Sequence, residues 1–162
     1  MLEYIGINLL QDKTSIKNIL AEVFSQLNVH YFDQYNSWEI EYNDLLNDDS
    51  ICFSFIENES EFPIILELTR TPKEDTNERE LFLAKIISER LQCRTITRYR
   101  PNNASIDYPF DSIVFDKGIA FLTDDNNTIW ADGIGGTVQI LNQIVLNISN
   151  FDTRGNIVKL SR

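Results

Sequence analysis

Apolar residues recur at helical spacing near the start of the chain. Counted from Ile16, the positions i, i+3, i+4, i+7, i+8 and i+11 are all apolar, which predicts one apolar stripe along a helix. Thr14 or Ser15 would cap the N-terminus of this helix, and Asn28 would end it. The preceding segment, residues 2–9, fits either a short strand or a lead-in to the helix.

A second amphipathic stretch, Asn77–Gln92, predicts another helix of about four turns. Asn77 is followed three residues later by Glu80, which is the spacing of a capping box. The run Arg94–Tyr99 then predicts a strand, and Pro101 ends it because proline cannot donate to a ladder of hydrogen bonds.

Between the two helices the apolar positions follow a period of two, which is typical of half-buried strands. The runs with this period are Ser37–Asn43, Ile51–Glu57 and Phe62–Thr69. Short acidic and polar turns separate them, which favours an antiparallel meander. In such a meander Glu39, Glu41 and Glu67 would share the outer face.

The last third of the chain predicts further strands. Ile113–Phe115 and Ile119–Leu122 flank Asp116–Gly118, and this pattern indicates a hairpin with a three-residue loop. Gly136–Ile148 alternates like a strand, and a short strand would follow at Ile157–Leu160. Because this region carries few charges, the alternative is that it forms an exposed arm.

Length and composition fit one globular domain. The 162 residues are typical of a single domain spanning 1–162, and eighteen aromatic side chains supply bulky core material. We therefore expect an α+β fold with a mostly antiparallel sheet of about six to eight strands and two main helices.

The net charge of −11 comes from one continuous third of the chain. Asn18–Thr69 holds eleven acidic residues and no Lys or Arg, and the other 14 of the 25 acids balance the 14 bases. Unpaired carboxylates remain in contact with solvent because their burial is too unfavourable. The bases clustered in Arg70–Arg100 offset some of these acids within the fold, and the remainder serve either solubility or the attraction of a basic partner.

We expect the acidic third to form a binding surface for such a partner. The acids that we predict to bind it are Glu39, Glu41, Asp44, Asp48, Asp49 and Glu67. Trp38, Tyr35 or Trp130 would add an aromatic anchor. The same negative charge argues against direct binding of nucleic acid, whose phosphates require basic side chains.

Catalytic and metal-binding patterns are not found in the sequence. His30 is the one histidine, and its aromatic neighbours favour a packing role. Cys52 and Cys93 lie in apolar stretches as buried, reduced thiols, too widely separated from one another and from His30 for paired zinc ligands. The segment Asp124–Gly133 lacks the closing Glu of a calcium loop. We expect a protein that is not an enzyme and needs no cofactor or metal.

The N-terminus lacks the pattern of a signal peptide, and the apolar runs are too short to span a bilayer. These features predict a soluble, cytoplasmic protein without a membrane contact. Nothing in the sequence points to an oxidising compartment.

In overall character the chain resembles the small acidic immunity proteins of bacteria, which bind and neutralise a toxin domain delivered by neighbouring cells. The resemblance lies in the acidic aromatic run SWEIEY at 37–42 and in the stretches LFLAKIISERLQCRTI and DSIVFDKGIAFLTDD. It implies an immunity protein of a contact-dependent or secreted competition system, which blocks a cognate toxin such as a basic nuclease domain. We also expect a monomer or weak homodimer.

Two other functions stay open at this stage. A DNA mimic or acidic adaptor would use the same surface for another basic protein, and a toxin encoded by a neighbouring gene would separate this function from immunity. An enzyme of unrecognised type would need a deep polar pocket around His30.

Overall fold

The computed structural model describes residues 3–33, 49–70, 74–98, 111–129 and 134–159. Within these ranges the chain forms two helices and ten strands. In chain order they are β1 Glu3–Ile7, α1 Lys13–Val23, β2 Asn28–Tyr31, β3 Ser50–Glu57, β4 Ile64–Arg70, α2 Thr76–Leu91, β5 Arg94–Arg98, β6 Asp111–Asp116, β7 Ile119–Asp124, β8 Thr128–Ile129, β9 Ile134–Gly135 and β10 Gln139–Gln143.

Eight of the described strands form one sheet, in the order β10-β7-β6-β5-β1-β4-β3-β2. Its neighbouring strands are antiparallel except β2 and β3, which are parallel. The short strands β8 and β9 pair separately. The predicted α+β class, with two helices and a mostly antiparallel sheet, is confirmed.

The start of the chain is a strand near the middle of this sheet. β1 pairs with β4 on one side and with β5 on the other. Ile5 and Ile7 are fully buried. A strand covered on both faces has a nearly continuous apolar sequence, which explains why the period of residues 2–9 did not distinguish a strand from a helix.

The N-terminus of α1 is capped by a residue that the sequence pattern did not single out. The side chain of Asp12 accepts a hydrogen bond from the backbone N–H of Ser15 over 2.9 Å. The prediction that Thr14 or Ser15 caps the helix is therefore wrong; a carboxylate suits this position because it also complements the helix dipole. The helix ends at Val23, and Asn28 begins β2 instead of ending the helix.

Both ends of α2 have a residue in the left-handed backbone conformation. The N-cap Asp75 has φ 57° and the C-cap Gln92 has φ 51°. The predicted capping box between Asn77 and Glu80 is wrong, because the Glu80 carboxylate accepts a hydrogen bond from the backbone N–H of Tyr4 over 3.0 Å. Glu80 therefore ties α2 to β1.

Two of the three strands of the predicted meander lie within the described residues. Its second and third runs correspond to β3 and β4, which pair antiparallel as expected. The other edge of β3 pairs with β2, and the other edge of β4 pairs with β1. β2 pairs only with the first four residues of β3, and the predicted strand Ser37–Asn43 lies outside the described residues, so its place in the meander stays a prediction.

The hairpin between β6 and β7 is confirmed, with a tighter turn than predicted. Asp116 pairs with Ile119, so the loop contains two residues and not three. Lys117 has φ 51° and Gly118 has φ 86°. Positive φ at both positions is the type I′ turn, whose twist matches that of the flanking strands.

Apolar side chains are buried on both faces of the sheet. On the face that we call the helical face, α1 and α2 pack against the strands, and the core includes Ile5, Leu20, Leu66, Leu83 and Phe115. Adjacent strand residues alternate between faces. The opposite face carries a smaller core, which consists of Phe62, Ile65, Ile96, Val114 and Val138.

β10 contains a bulge that changes which face its side chains occupy. Ile140 and Asn142 pair with consecutive residues of β7, so Leu141 is an extra residue between them. One extra residue moves the even-numbered positions from the opposite face to the helical face. Val138 accordingly belongs to the opposite-face core.

The segment after the bulge packs on the helical face. Of the predicted strand Gly136–Ile148, only β10 has ladder partners among the described residues. Ile144, Leu146 and Ile148 are partly buried against the helical-face core. The predicted alternation of these three side chains therefore describes their burial correctly, although the segment is not a strand.

The end of the described chain is anchored and is not an exposed arm. The ring of Phe151 lies 5.2 Å from that of Phe82 on α2, centroid to centroid. The predicted strand Ile157–Leu160 is reduced to one bridge, between Phe151 and Ile157. The chain thus closes over the outer side of α2.

Candidate partner-binding surface

The predicted binding residues divide into two groups. Those outside the described residues are Glu39, Glu41, Asp44 and Asp48. Asp49 and Glu67 are described, and they lie on the two paired strands β3 and β4 or immediately beside them. The predicted aromatic anchors Trp38, Tyr35 and Trp130 also lie outside the described residues.

Asp49 is exposed immediately before β3. Its backbone carbonyl accepts a hydrogen bond of 2.6 Å from the backbone N–H of Asn28, the first residue of β2. The backbone is therefore fixed at the end of the sheet formed by β2 and β3. Asp49 is exposed, so its carboxylate is accessible to a partner.

Glu67 is less exposed than the sequence pattern indicates. On β4 it pairs with Ser54 on one side and with Tyr4 on the other, on the opposite face of the sheet. Burial raises the pKa of Glu67. Burial also raises the pKa of Tyr4, and the charge of Glu67 raises it further. Glu67 is thus a partly buried carboxylate within a row of strand residues.

The loop between β3 and β4 presents two acids that we did not include among the predicted binding residues. Glu57 and Glu59 are exposed there. The side-chain amide of Asn58 donates to the Ser60 hydroxyl over 2.9 Å and to the Phe62 carbonyl over 3.0 Å. These bonds hold the loop in one conformation. The acidic loop sequence ENESE was the signal that could have identified the pair.

Part of the acidic third is neutralised inside the protein. Arg90 forms a two-pronged ion pair with Glu22, with N–O distances of 2.9 and 2.8 Å. This contact lowers the pKa of Glu22. Arg94 lies 3.6 Å from Glu61 and 3.0 Å from Asp116. The expectation that the basic segment offsets some of the acids is therefore correct for Glu22 and Glu61.

Three exposed acids of the acidic third have no such neutralisation. None of the ion pairs formed between described residues includes Asp49, Glu57 or Glu59. Asp49 immediately precedes β3, Glu57 is the last residue of β3, and Glu59 lies in the loop that follows. The length of β3 separates Asp49 from the other two by about 26 Å. We call these three residues the acidic edge, because β3 lies next to the terminal strand β2.

The basic segment also supplies a buried ion pair. Arg79 and Glu3 are both 0% exposed, and their closest nitrogen and oxygen atoms are 2.6 Å apart. A second nitrogen of Arg79 donates to the carbonyls of Glu74 and Gly155, each over 3.0 Å. The guanidinium also lies 5.8 Å from the ring centre of Phe151. This arginine therefore joins α2, β1 and the C-terminal segment.

Glu80 lies one residue further along α2. Burial raises its pKa to about 7, the charge of Glu3 acts in the same direction, and the hydrogen bond from the Tyr4 backbone opposes the shift. Such a carboxyl group changes its protonation near neutral pH. Its backbone contact with β1 makes it a structural group of the fold, away from the acidic edge.

The two cysteines and the histidine do not form an activated nucleophile. The strand register places His30 beside Cys52, but burial raises the pKa of the Cys52 thiol. Burial and the charge of Asp116 raise the pKa of Cys93 to about 11. A reactive cysteine requires a shift in the opposite direction.

Both cysteines are free and buried, as predicted. One lies on β3 and the other immediately before β5, and β4 and β1 lie between these strands. Three strand spacings amount to about 14 Å, whereas the α-carbons of a disulfide are within about 7 Å of each other. The fold therefore keeps the two thiols apart.

In the described ranges, no three His, Cys, Asp or Glu side chains are grouped as a metal site. No helix in these ranges is long and apolar enough to cross a membrane. Comparisons with protein-family models, with curated proteins and with solved structures gave no significant match. What the chain does is therefore inferred from its own geometry.

Proposed function

We propose that this protein binds a basic protein partner through the acidic third of its chain, and that it acts as an immunity protein which blocks a cognate toxin. One observation carries the proposal. Asp49, Glu57 and Glu59 are exposed and take part in no ion pair with another described residue, although arginines elsewhere in the fold neutralise Glu22 and Glu61.

Glu57 and Glu59 are two residues apart, and like charges this close repel one another and weaken the folded state. A basic partner relieves this repulsion, and the field of the acidic edge accelerates the encounter between the two proteins. The hydrogen bonds of Asn58 fix the loop in advance. Little conformational freedom is then lost when Glu57 and Glu59 bind.

A nuclease toxin is the partner that this chemistry fits best. Its cleft carries Lys and Arg side chains for the phosphates of the nucleic acid, and carboxylates accept strong, charge-assisted hydrogen bonds from the same groups. The immunity protein would therefore occupy the cleft and exclude the substrate without any reaction of its own. Glu39, Glu41, Asp44 and Asp48 extend the acidic sequence of the same third.

The first experiment is a pull-down from the native host, with the product of the adjacent gene tested first. Association of the captured partner is then measured over a series of salt concentrations. The variant Asp49→Asn/Glu57→Gln/Glu59→Gln should associate about tenfold more slowly than wild type, with a shallower salt dependence. The variant Glu39→Gln/Glu41→Gln/Asp44→Asn/Asp48→Asn tests the other predicted acids in the same way.

The matched control is Glu74→Gln/Asp75→Asn/Glu89→Gln. It removes the same amount of charge from exposed positions outside the acidic third, so it separates the effect of location from that of net charge. Equal slowing by both triple variants would contradict the proposed surface. A partner that binds normally but keeps its full activity would contradict the immunity function and favour an acidic adaptor.

A further inference from the structure

The edge of the sheet formed by β10 is apolar and exposed. Within the described residues β10 has a neighbour on one side only, β7. Seven large apolar side chains of the described chain are exposed. Those on or beside this edge are Ile119, Ile140, Leu141 and Val145. More than half of the exposed apolar groups are thus concentrated in one place.

The same edge carries no charge. Residues 133–151 form a run of nineteen without any Asp, Glu, Lys, Arg or His, in a chain with a net charge of −11. Natural proteins usually protect an edge strand with lysine, proline or inward charges. Here the protection is limited to the bulge at Leu141. A neutral edge with Val145 98% exposed is typical of a surface that another molecule covers.

We infer that this edge binds a second copy of the chain, related to the first by a twofold axis near Leu141. Two proteins of net charge −11 repel each other, and they approach with the least repulsion where neither carries charge. A basic partner would gain no electrostatic attraction from β10 itself, which carries no charge. The acidic edge, which attracts such a partner, lies on β3, about six strand spacings away, or roughly 29 Å.

The sequence of β10 is compatible with such symmetry. In a twofold contact each residue meets its symmetry-related position. With Leu141 on the axis, Leu141 meets Leu141 of the second copy, and Gln139 meets Gln143 of the second copy. Because the bulge interrupts the strand, we place the contact in the apolar side chains and not in a continuous ladder of hydrogen bonds.

The exposed apolar area of this edge is small. Four side chains that are each about half exposed or more supply a few hundred Å², whereas a stable interface buries about 800 Å² from each partner. We therefore expect a weak dimer that forms at high protein concentration. Its two acidic edges would lie at the far ends of the assembly, where they can bind two partners at once.

Sedimentation measures the self-association directly. The mass of the full chain should rise from 18.8 kDa toward twice that value as the concentration increases. Added salt should strengthen the dimer, because it screens the repulsion between the two acidic copies. Salt weakens binding to a basic partner, so the two contacts respond to salt in opposite directions.

The variant Leu141→Lys places two positive charges on the axis and should keep the protein monomeric under conditions in which the wild type dimerises. Val158→Lys is the matched control, because Val158 is 46% exposed and Leu141 is 47% exposed, and its dimer should form as in the wild type. Far-UV circular dichroism and thermal unfolding confirm that both variants are folded.

A cysteine at the axis gives a second, independent measurement. Leu141→Cys should form a disulfide-linked dimer when oxidised, whereas Val158→Cys should not; the native thiols are buried and do not interfere. The inference is overturned if the wild type stays monomeric at high concentration and high salt, or if the Leu141→Cys thiols do not link. It is also overturned if Leu141→Lys removes binding of the basic partner without changing self-association.

Discussion

β2 and β10 occupy the two ends of the same sheet, yet their surroundings carry very different side chains. Around β2 and β3, the acidic third of the chain contributes carboxylates and no base. Around β10, nineteen consecutive residues are uncharged and several apolar side chains are exposed. The sheet therefore holds the acidic edge on β3 and a neutral edge at β10, about 29 Å apart.

The two edges are suited to different kinds of recognition, one through charge and the other through apolar contact. Charges act over about 10 Å at moderate salt and determine how fast a partner arrives, whereas apolar side chains act only in direct contact. The protein can use one edge for a basic partner and the other for a second copy without competition between them. The predictions below test whether the two edges are as independent as this division implies.

The buried ion pair between Arg79 and Glu3 joins α2, β1 and the C-terminal segment. Its removal should therefore have the largest effect on the free energy of unfolding. Arg79→Met leaves Glu3 as a buried charge without its arginine. We expect a loss of about 3–5 kcal/mol in the free energy of unfolding, measured by urea denaturation. Glu3→Leu/Arg79→Met should recover part of this loss. A single variant as stable as the wild type would show that the pair does not support the sheet.

Protonation of Glu80 should have the next largest effect on the free energy of unfolding. Its pKa is about 7 in the folded protein, against an ordinary value of 4.5, so the folded state binds the proton more tightly. The stability from this group is complete below about pH 4.5 and is lost as the pH rises through 7, a decrease of roughly 3 kcal/mol. Urea denaturation from pH 4 to 8 measures it.

Glu80→Gln separates this effect from repulsion along the acidic edge. The ordinary pKa of a carboxyl group in water is about 4, so carboxyl groups in general give a slope mainly below pH 5. The variant should therefore lose most of the slope between pH 5 and 7 and keep the slope below pH 5, while Glu67, whose pKa burial also raises, still contributes. A variant whose slope between pH 5 and 7 matches the wild type would assign that slope to other groups.

The packing of the C-terminal segment on α2 can be weakened without changing the acidic edge. Phe151→Ala removes the contact with Phe82 and should cost about 1–3 kcal/mol, because the ring is only partly buried. Hydrogen exchange should become faster in residues 144–159 and stay unchanged in β3. Equal acceleration in both regions would show that the two sides open together.

Neutralising the acidic edge should have the smallest effect on the fold. Asp49→Asn/Glu57→Gln/Glu59→Gln changes exposed side chains only, so the free energy of unfolding should change by less than about 0.5 kcal/mol. Reduced repulsion would make that change stabilising. A loss above about 2 kcal/mol would mean that these carboxylates support the structure, and slower partner binding could then not be assigned to the surface.

Local patterns in the sequence predict many of the helices and strands, but few of the pairings and contacts between distant elements. The apolar stripe of α1, the alternation of β3 and the turn signal at Gly118 are local, and each predicts its element. β2 has four residues and no clear period, so its parallel pairing with β3 depends on distant parts of the chain. The capping role of Glu80 failed for a similar reason, since its partner is Tyr4.

The candidate surface shows the same limit. The number of carboxylates in the acidic third can be read from the sequence. Which of them form ion pairs with arginine cannot. Glu22 and Glu61 are paired with Arg90 and Arg94, which come from a different third of the chain. Glu59 lies in the loop that the hydrogen bonds of Asn58 hold, and that loop depends on how β3 meets β4.

The extra residue at Leu141 shifts the side-chain alternation by one position, so every residue that follows changes the face of the sheet on which it lies. Before it, Val138 faces one core; after it, Ile144, Leu146 and Ile148 face the other. Deleting one residue here would turn Val145 and Asn147 inward and the three apolar side chains outward. The spacing between Val138 and Ile144 is therefore constrained more strictly than the identity of the residues between them, and related chains should conserve that length.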